Sequence, residues 1–270
     1  MIPRVARINR RLARGRPVAS VPLELVHARP LDVPVTFCVN MQADPIQRKH
    51  RNGEFYEQQE LLILKALFPE GGLFVDIGAN VGNHTLFAAL HLRAGRVIPF
   101  EPNPKAFELL IQNVLVNRLA ERVSFDFIGY GLSDAAEAGF GMEERQRNLG
   151  GAKMLPGEGE VEVLRGDVAL AGLSPEFIKI DVEGMEIKVL NGLAGVFERA
   201  RPVMLVEVDQ DNDAAFHDWV AARDYRVLTT HSRYQTNRNY ILCHAADKER
   251  LGAAMAAGAV GTEPNASAGV

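Results

Sequence analysis

Phe74-Val75-Asp76-Ile77-Gly78-Ala79-Asn80-Val81-Gly82-Asn83-His84-Thr85 and, one helix further on, Val97-Ile98-Pro99-Phe100-Glu101-Pro102 decide how this chain is read. An apolar run enters an acidic residue and then a turn with glycines at 78 and 82, and an amphipathic run from Thr85 to Leu92 begins at once. That order predicts a strand, a tight loop and a helix N-terminus. Glycine admits backbone angles and a close approach that a Cβ would block, and a helix start offers unpaired N–H groups to a polar ligand. The second strand ends in Glu101, 25 positions after Asp76. A carboxylate there can accept both hydroxyls of a ribose, as in dinucleotide folds whose acid lies about 20 residues beyond the glycines. The expected ligand therefore carries a nucleoside. The bland alternative, an ordinary glycine turn with no ligand, leaves the pairing of Asp76 with Glu101 without a purpose.

Details of the turn choose between nucleoside cofactors. A pyrophosphate wants glycines at G-x-G-x-x-G with nothing negative projecting into the loop. Here the pattern is Gly78-x-Asn80-x-Gly82 with Asp76 two places ahead. An acid so placed repels a pyrophosphate and suits a cationic amino group. S-adenosylmethionine, with an amino-acid end, a sulfonium and a ribose, fits better than a nicotinamide dinucleotide.

With 270 residues, 47% hydrophobic and 24% charged, the chain can bury the core of one sizeable domain plus extensions. Its two cysteines, Cys38 and Cys243, each sit in an apolar run and read as buried thiols rather than a bridge or a zinc site. No apolar run approaches the roughly 18 to 20 residues of a membrane span, no signal-peptide core follows the first arginines, and the cytoplasm is the expected compartment. A net charge of −4 argues against a general nucleic-acid binder. Arg4, Arg7, Arg10, Arg11, Arg14 and Arg16 crowd the start and read as a solvated arm, with a membrane- or RNA-binding element as the alternative.

The order of elements gives the architecture. Helical spacing from Glu54 to Phe68 precedes a strand at Leu73 to Ile77, a helix at Thr85 to His91, a strand at Arg96 to Phe100, a helix at Pro104 to Asn117 and a third strand at Val123 to Ile128. After an irregular polar stretch, Glu137 to Gly159, strands follow at Val161 to Leu164, Phe177 to Val182 and Val203 to Val208, with a helix at Glu186 to Phe197. A helix at Ala214 to Arg223 leads to Tyr225 to Thr229 and Tyr240 to Cys243, which read as an antiparallel edge hairpin. The whole predicts an α/β, doubly wound, mostly parallel sheet. Pro99 inside the second strand deletes a ladder bond, so pairing is expected to stop near that strand's end. Residues 1–52 read as a basic extension, 53–246 as the domain, and 247–270 as an Ala/Gly-rich tail, disordered unless its first part up to Ala257 extends a helix.

A second constellation, Ile178-Lys179-Ile180-Asp181-Val182-Glu183-Gly184, puts two carboxylates at the C-terminal end of a strand, the edge where ligands bind in open α/β sheets. Glu207 and Asp209 end the next strand. Such acids can orient an acceptor hydroxyl, act as general base, or hold a hard cation such as Mg²⁺. Their competing role is capping the following helix. His84, at the start of the first helix, is a further candidate base, equally readable as a structural donor. Arg145 to Leu155, with Asn148-Leu149-Gly150-Gly151, is a candidate lid or a plain surface loop.

Three blocks in order, Val75-Asp76-Ile77-Gly78-Ala79-Asn80-Val81-Gly82, Phe100-Glu101-Pro102-Asn103-Pro104 and Ile178-Lys179-Ile180-Asp181-Val182-Glu183-Gly184-x-Glu186, resemble the FkbM family of S-adenosylmethionine-dependent methyltransferases. The resemblance spans about Glu54 to Leu242 and takes in Tyr56-Glu57, Asn113, Asn117 and Gly131-Leu132-Ser133-Asp134. It implies a Rossmann-like, seven-stranded class I methyltransferase sheet and O-methylation of a small-molecule hydroxyl, on a sugar or a secondary metabolite. It puts Asp76, Gly78, Asn80 and Gly82 around the methionine end, Glu101 on the ribose with Pro102 and Asn103 beside it, and Ser133 and Asp134 at the adenine. Asp181 and Glu183 would then face the methyl group and acceptor, with Glu207 close by. Two other classes stay open on the residues: a cofactor-binding protein of this fold without catalysis, and an NAD-dependent oxidoreductase, whose glycine spacing this loop lacks. A nucleic-acid amino-methylating enzyme would carry an Asn/Asp-Pro-Pro-aromatic motif where this chain has Asp181-Val182-Glu183-Gly184.

Overall fold

The computed structural model describes residues 22–260 except 144, 146, 158 and 234, together with positions 10 and 14. The rest of the arginine-rich leader and residues 261–270 lie outside the described residues. The chain opens with a hairpin of β1 (Glu24–Ala28) and β2 (Val35–Val39), followed by α1 (Pro45–Arg51) and α2 (Gln58–Leu67). Val35, Phe37, Cys38 and Val39 are buried, and Phe37 and Val39 share a core with Leu61, Leu64 and Phe87. Residues 24–51, which the sequence sets apart as an extension, are thus packed into the domain. Their one inward face is too short a pattern to stand out beside a run of arginines.

The strand, loop and helix read first in the sequence are present as β3 (Leu73–Ile77) and α3 (Asn83–Leu90), followed by β4 (Arg96–Phe100) and α4 (Pro104–Val116). The expected third strand is replaced by two isolated parallel bridges, Val97 with Val123 and Glu101 with Ile128. Pro99 explains the gap. β4 pairs with β3 along its whole length, Asp76 opposite Pro99 and Ile77 opposite Phe100, so pairing does not stop early on that side. Val97 and Glu101 turn their polar groups the other way, toward Arg122 and Ser124 and toward Gly129. Pro99 lies between them on that outer side and has no N–H to offer. The facing chain bows out there, closed by the Ser124 hydroxyl on Asp126 at 2.6 Å.

Next come β5 (Tyr130–Ser133), β6 (Glu137–Met142), β7 (Met154–Pro156) and β8 (Val161–Arg165), which form a separate four-stranded sheet in the order β5-β8-β6-β7. The stretch from Glu137 to Gly159, expected to be irregular, supplies two of its strands. After the short α5 (Gly166–Ala169) follow β9 (Phe177–Ile180), α6 (Glu186–Gly192), α7 (Ala194–Ala200), β10 (Val203–Asp209), α8 (Asp213–Ala222), β11 (Tyr225–His231), β12 (Asn237–His244) and α9 (Lys248–Val260). The main sheet is therefore six-stranded and mixed, ordered β11-β12-β10-β9-β3-β4, parallel from β10 through β4 and antiparallel at the β11–β12 hairpin. A seven-stranded, mostly parallel sheet does not form, because β5 leaves the main sheet to pair with β8. The hairpin is present at the expected edge, with β12 inside β11. The first part of the Ala/Gly-rich tail is helical, as the alternative up to Ala257 allowed, rather than disordered: Lys248–Val260 form α9, which packs on α2 and buries Leu251.

Two cores flank the main sheet. Phe74, Phe177, Leu86 and Ile111 lie on one side, and Val75, Ile178, Val189 and Trp219 on the other. The alternation within β3 and β9 is what a strand buried on both faces requires. Cys38 and Cys243 are buried free thiols, as expected.

Asn113 of α4 joins three segments. Its Oδ1 accepts from Cys38 N at 2.6 Å and its Nδ2 donates to the Val81 carbonyl at 2.8 Å, so the hairpin and the glycine loop hang on one buried amide. Asn113→Ala leaves both partners unsatisfied and is expected to cost about 2 to 4 kcal/mol in urea unfolding. A loss below half a kcal/mol would mean that the hairpin is not coupled to the loop.

Candidate functional site

A cleft of about 560 Å³, counted to its open mouth, lies at the C-terminal ends of β3, β4 and β9. Gly78, Asn80, Glu101, Pro102 and Asn103 form one wall, Asp181, Val182 and Glu183 face them, and Leu149, Gly150 and Met154 come over the top. The first wall is built by backbone bonds. Gly78 N and Ala79 N both donate to the Phe100 carbonyl at 2.9 Å, which turns the loop toward β4. Gly78 has φ +80°, and a Cβ on it would run into the carbonyl oxygen of Asp181, so only glycine fits. Gly82, at φ +91°, caps α3 and receives no cleft surface of its own.

Glu101 is held on both oxygens. Asn80 N donates to Oε2 at 2.7 Å and Asn103 N to Oε1 at 2.8 Å, which leaves lone pairs on each oxygen for a diol. Burial raises its pKa to about 7, against the pull of those two N–H groups. Asn80 Oδ1, in the same wall, is buried without a hydrogen-bond partner. An orphaned acceptor beside a carboxylate is what a site for a ligand rich in N–H and O–H groups requires.

Asp76 is displaced from the sequence expectation. It is fully buried beneath the cleft, accepts from the Thr85 hydroxyl at 2.6 Å and lies 3.8 Å from Lys179 Nζ. The Gly78 turn carries the cleft wall past it, so it supports the loop rather than lining the cavity. Ser133 and Asp134 are also absent from the lining, which on that side consists of Gly131 and Leu132; the Ser133 hydroxyl donates to Asp134 at 3.1 Å. His84 is buried on α3 with Nε2 3.6 Å from Glu57 and is not among the residues that line the cleft. Burial, then Lys179 and Arg233, hold its pKa well below the usual imidazole range.

Asp181, Glu183 and Glu207 do come together, each offering an oxygen within 4.8 Å of the others. Glu207, on β10, accepts from Asn237 Nδ2 at 2.6 Å. Burial and then the neighbouring Asp181 raise Glu183 to about 8 and Glu207 to about 9. Three oxygens so close form a donor set suited to a hard cation, and equally to a shared proton or a hydroxyl. The capping alternative fails: α6 has no side-chain cap from Asp181 or Glu183, and Gly184 N is met by Glu186 at 2.6 Å.

Two groups at the site lie within the quoted motifs, which assign them no role. Lys179 is buried between the two acid clusters, its Nζ on the Gly78 carbonyl at 2.8 Å and on Asp181 at 3.1 Å. Its signal was a charge inside the apolar run Ile178-Lys179-Ile180. Glu57 sits at φ +60° at the start of α2, pushed up to about 7 by burial and then by Asp181, with Arg233 3.6 Å away. Of the candidate lid, Leu149, Gly150, Ala152 and Met154 line the cleft; Leu149 N donates to the buried Asp44 at 2.9 Å, and Lys153 pairs with Asp209 at 3.1 Å.

A parallel β-α-β unit with an acid-ended second strand, a carboxylate cluster across the cleft and an antiparallel edge hairpin make up an α/β protein of the Rossmann-like kind. The chain belongs to the methyltransferase FkbM domain family, whose model matches residues 76–227, more than half of its length. Over 187 residues it is 26% identical to hexuronic acid methyltransferase AglP of Haloferax volcanii, 67% of this chain and 70% of that protein. Among solved structures, methyltransferase FkbM from Methylobacillus flagellatus matches at TM-score 0.44 and 18% identity over 63% of this chain, which spans 43% of that one. A tRNA m1G37 methyltransferase of M. jannaschii matches at TM-score 0.46 and 13% identity, over 84% of this chain and 55% of that chain. No helix among the described residues is long and apolar enough to cross a membrane.

The raised carboxylates set a pH dependence. Between its ordinary value of 4.5 and its folded value of about 9, Glu207 keeps a proton when folded and loses it when unfolded. Its contribution to stability is thus present below 4.5 and lost as pH rises through about 9. The ligand-free melting temperature is expected to fall from pH 6 to pH 9, and Glu207→Gln to flatten that fall. Parallel curves for the two proteins would show that Glu207 does not titrate in this range.

Proposed function

We propose that this chain is an S-adenosylmethionine-dependent O-methyltransferase whose acceptor is a sugar or a similar small polyhydroxyl compound. The observation that carries the reading is Glu101, locked by two backbone N–H groups in a cleft wall that faces Asp181 and Glu183. The cofactor would bring a methyl group on a positively charged sulfonium, and its positive charge matches a cleft edged by carboxylates. Glu101 accepts the ribose hydroxyls, and Asn80 Oδ1 and the loop backbone take the polar amino-acid end. Gly131 and Leu132, with Met142 and Met154, supply an apolar slot for the base.

Across the cleft the residues must hold an acceptor oxygen in line with the methyl and remove its proton. Asp181 and Glu183 are placed to accept a hydrogen bond from a hydroxyl, and Glu207 backs them. A bound sulfonium would lower the ligand-free values of about 8 for Glu183 and about 9 for Glu207 toward neutrality, where a carboxylate is a better base than an ordinary one. Most of the acceleration would come from positioning, with the Leu149–Gly150 cover excluding water. A sugar acceptor agrees with the name of the Haloferax volcanii relative, which specifies hexuronic acid.

Calorimetric titration with S-adenosylmethionine, and separately with NADH, tests the cofactor. Micromolar binding of the first alone is expected, and binding of NADH instead would refute the reading. Glu101→Ala is expected to weaken binding by about 10- to 100-fold through loss of charge-assisted bonds. Asp181→Ala should leave binding largely intact and abolish methyl transfer to a panel of neutral sugars and uronic acids. Full activity in Asp181→Ala would remove it from the acceptor site.

A further inference from the structure

We propose that Lys179 is the positioning residue that ties the cofactor loop to the acceptor carboxylates, an inference that rests on the methyltransferase reading of the cleft. It is the only lysine or arginine in the buried set among the described residues. β3 and β9 are parallel neighbours in a register that sets Lys179 beside Asp76, on the face shared with Phe74 and Phe177. From there the ammonium reaches upward. It donates to the Gly78 carbonyl at 2.8 Å and to Asp181 Oδ2 at 3.1 Å, and stands 3.8 Å from the Asp76 oxygen that has no hydrogen-bond partner. Two hydrogen bonds thus reach the loop and the acceptor side, while the charge faces the carboxylate on the strand beneath.

A buried ion pair is weak evidence for stability, since an apolar residue of similar size often serves as well. What the ammonium does here is geometric. Gly78 and Asp181 already touch through their backbones, and Lys179 adds the bond that sets the loop carbonyl. A second bond from the same ammonium holds one oxygen of Asp181, a residue that lines the cleft, and leaves the other for an acceptor hydroxyl. Against the upward push of burial, the ammonium also favours the ionised forms of Asp76, Glu57, Glu101 and Glu207 and pulls their pKa values down.

The test compares wild type, Lys179→Met, Asp181→Asn and the double variant, by calorimetric binding of S-adenosylmethionine and by methyl transfer to glucuronic acid. Lys179→Met is expected to bind the cofactor about tenfold more weakly, since the Gly78 carbonyl loses a charged donor, whereas Asp181→Asn leaves binding near wild type. Its kcat should fall by about 100-fold, with the KM for glucuronic acid little changed, because a misplaced group costs orientation rather than affinity. In the Asp181→Asn background, Lys179→Met should lower kcat little further, as expected of residues acting as a unit. Unchanged binding and turnover in Lys179→Met, or losses that multiply in the double variant, would overturn the proposal. If Lys179→Met does not fold, Lys179→Arg keeps the charge but cannot meet the same three points, and its kcat should fall with its melting temperature retained. A wild type that binds the cofactor but does not methylate glucuronic acid sinks that acceptor, not the positioning role, which the binding arm then decides. A wild type that binds no S-adenosylmethionine sinks both.

Discussion

The contact between Gly78 and the carbonyl of Asp181 is the constraint on which the rest of the site depends. No side chain fits between them, so the end of β3 and the end of β9 meet backbone to backbone. Because they meet, the loop bends toward β4, where Phe100 receives two N–H groups and Glu101 two more from Asn80 and Asn103. Glu101 and the carboxylates of Asp181 and Glu183 consequently line a single cleft. A Cβ at position 78 would separate them, and nothing farther away could restore the geometry.

Electrostatics adds a second constraint. The cleft edge gathers more negative charge than the buried ammonium of Lys179 can match, so burial and mutual repulsion push Glu101, Glu183 and Glu207 toward or above neutrality. A site in that state has a standing preference for a positively charged ligand, which lets the acids ionise.

The cover over the cleft belongs to the same unit. Asp44 receives Gln47 N at the start of α1 and Leu149 N from the covering segment, while Asn113 ties β2 to the glycine loop. The hairpin and α1 therefore hold the cover and the loop in register with each other, and a change in one is felt by the other through two buried side chains.

The sequence alone determined the local chemistry. Strand-to-glycine-to-helix order, the acid ending the second strand and the pair Asp181 and Glu183 were all legible, since each is a short pattern set by backbone sterics and strand ends. The edge hairpin was legible for the same reason. Tertiary structure decided what depends on partners far away in the chain. Pro99 removes a bond on one side only, and which side is a matter of pairing; hence β5 joins a second sheet and no seventh strand is added to the first. Asp76 lies below the cleft because Lys179 stands beside it, 103 positions later. Ser133 and Asp134 are not among the residues that line the cleft. Residues 24–51 and 248–260 are folded because other segments cover their apolar faces, and burial of that kind is a property of the assembled chain, not of any window of its sequence.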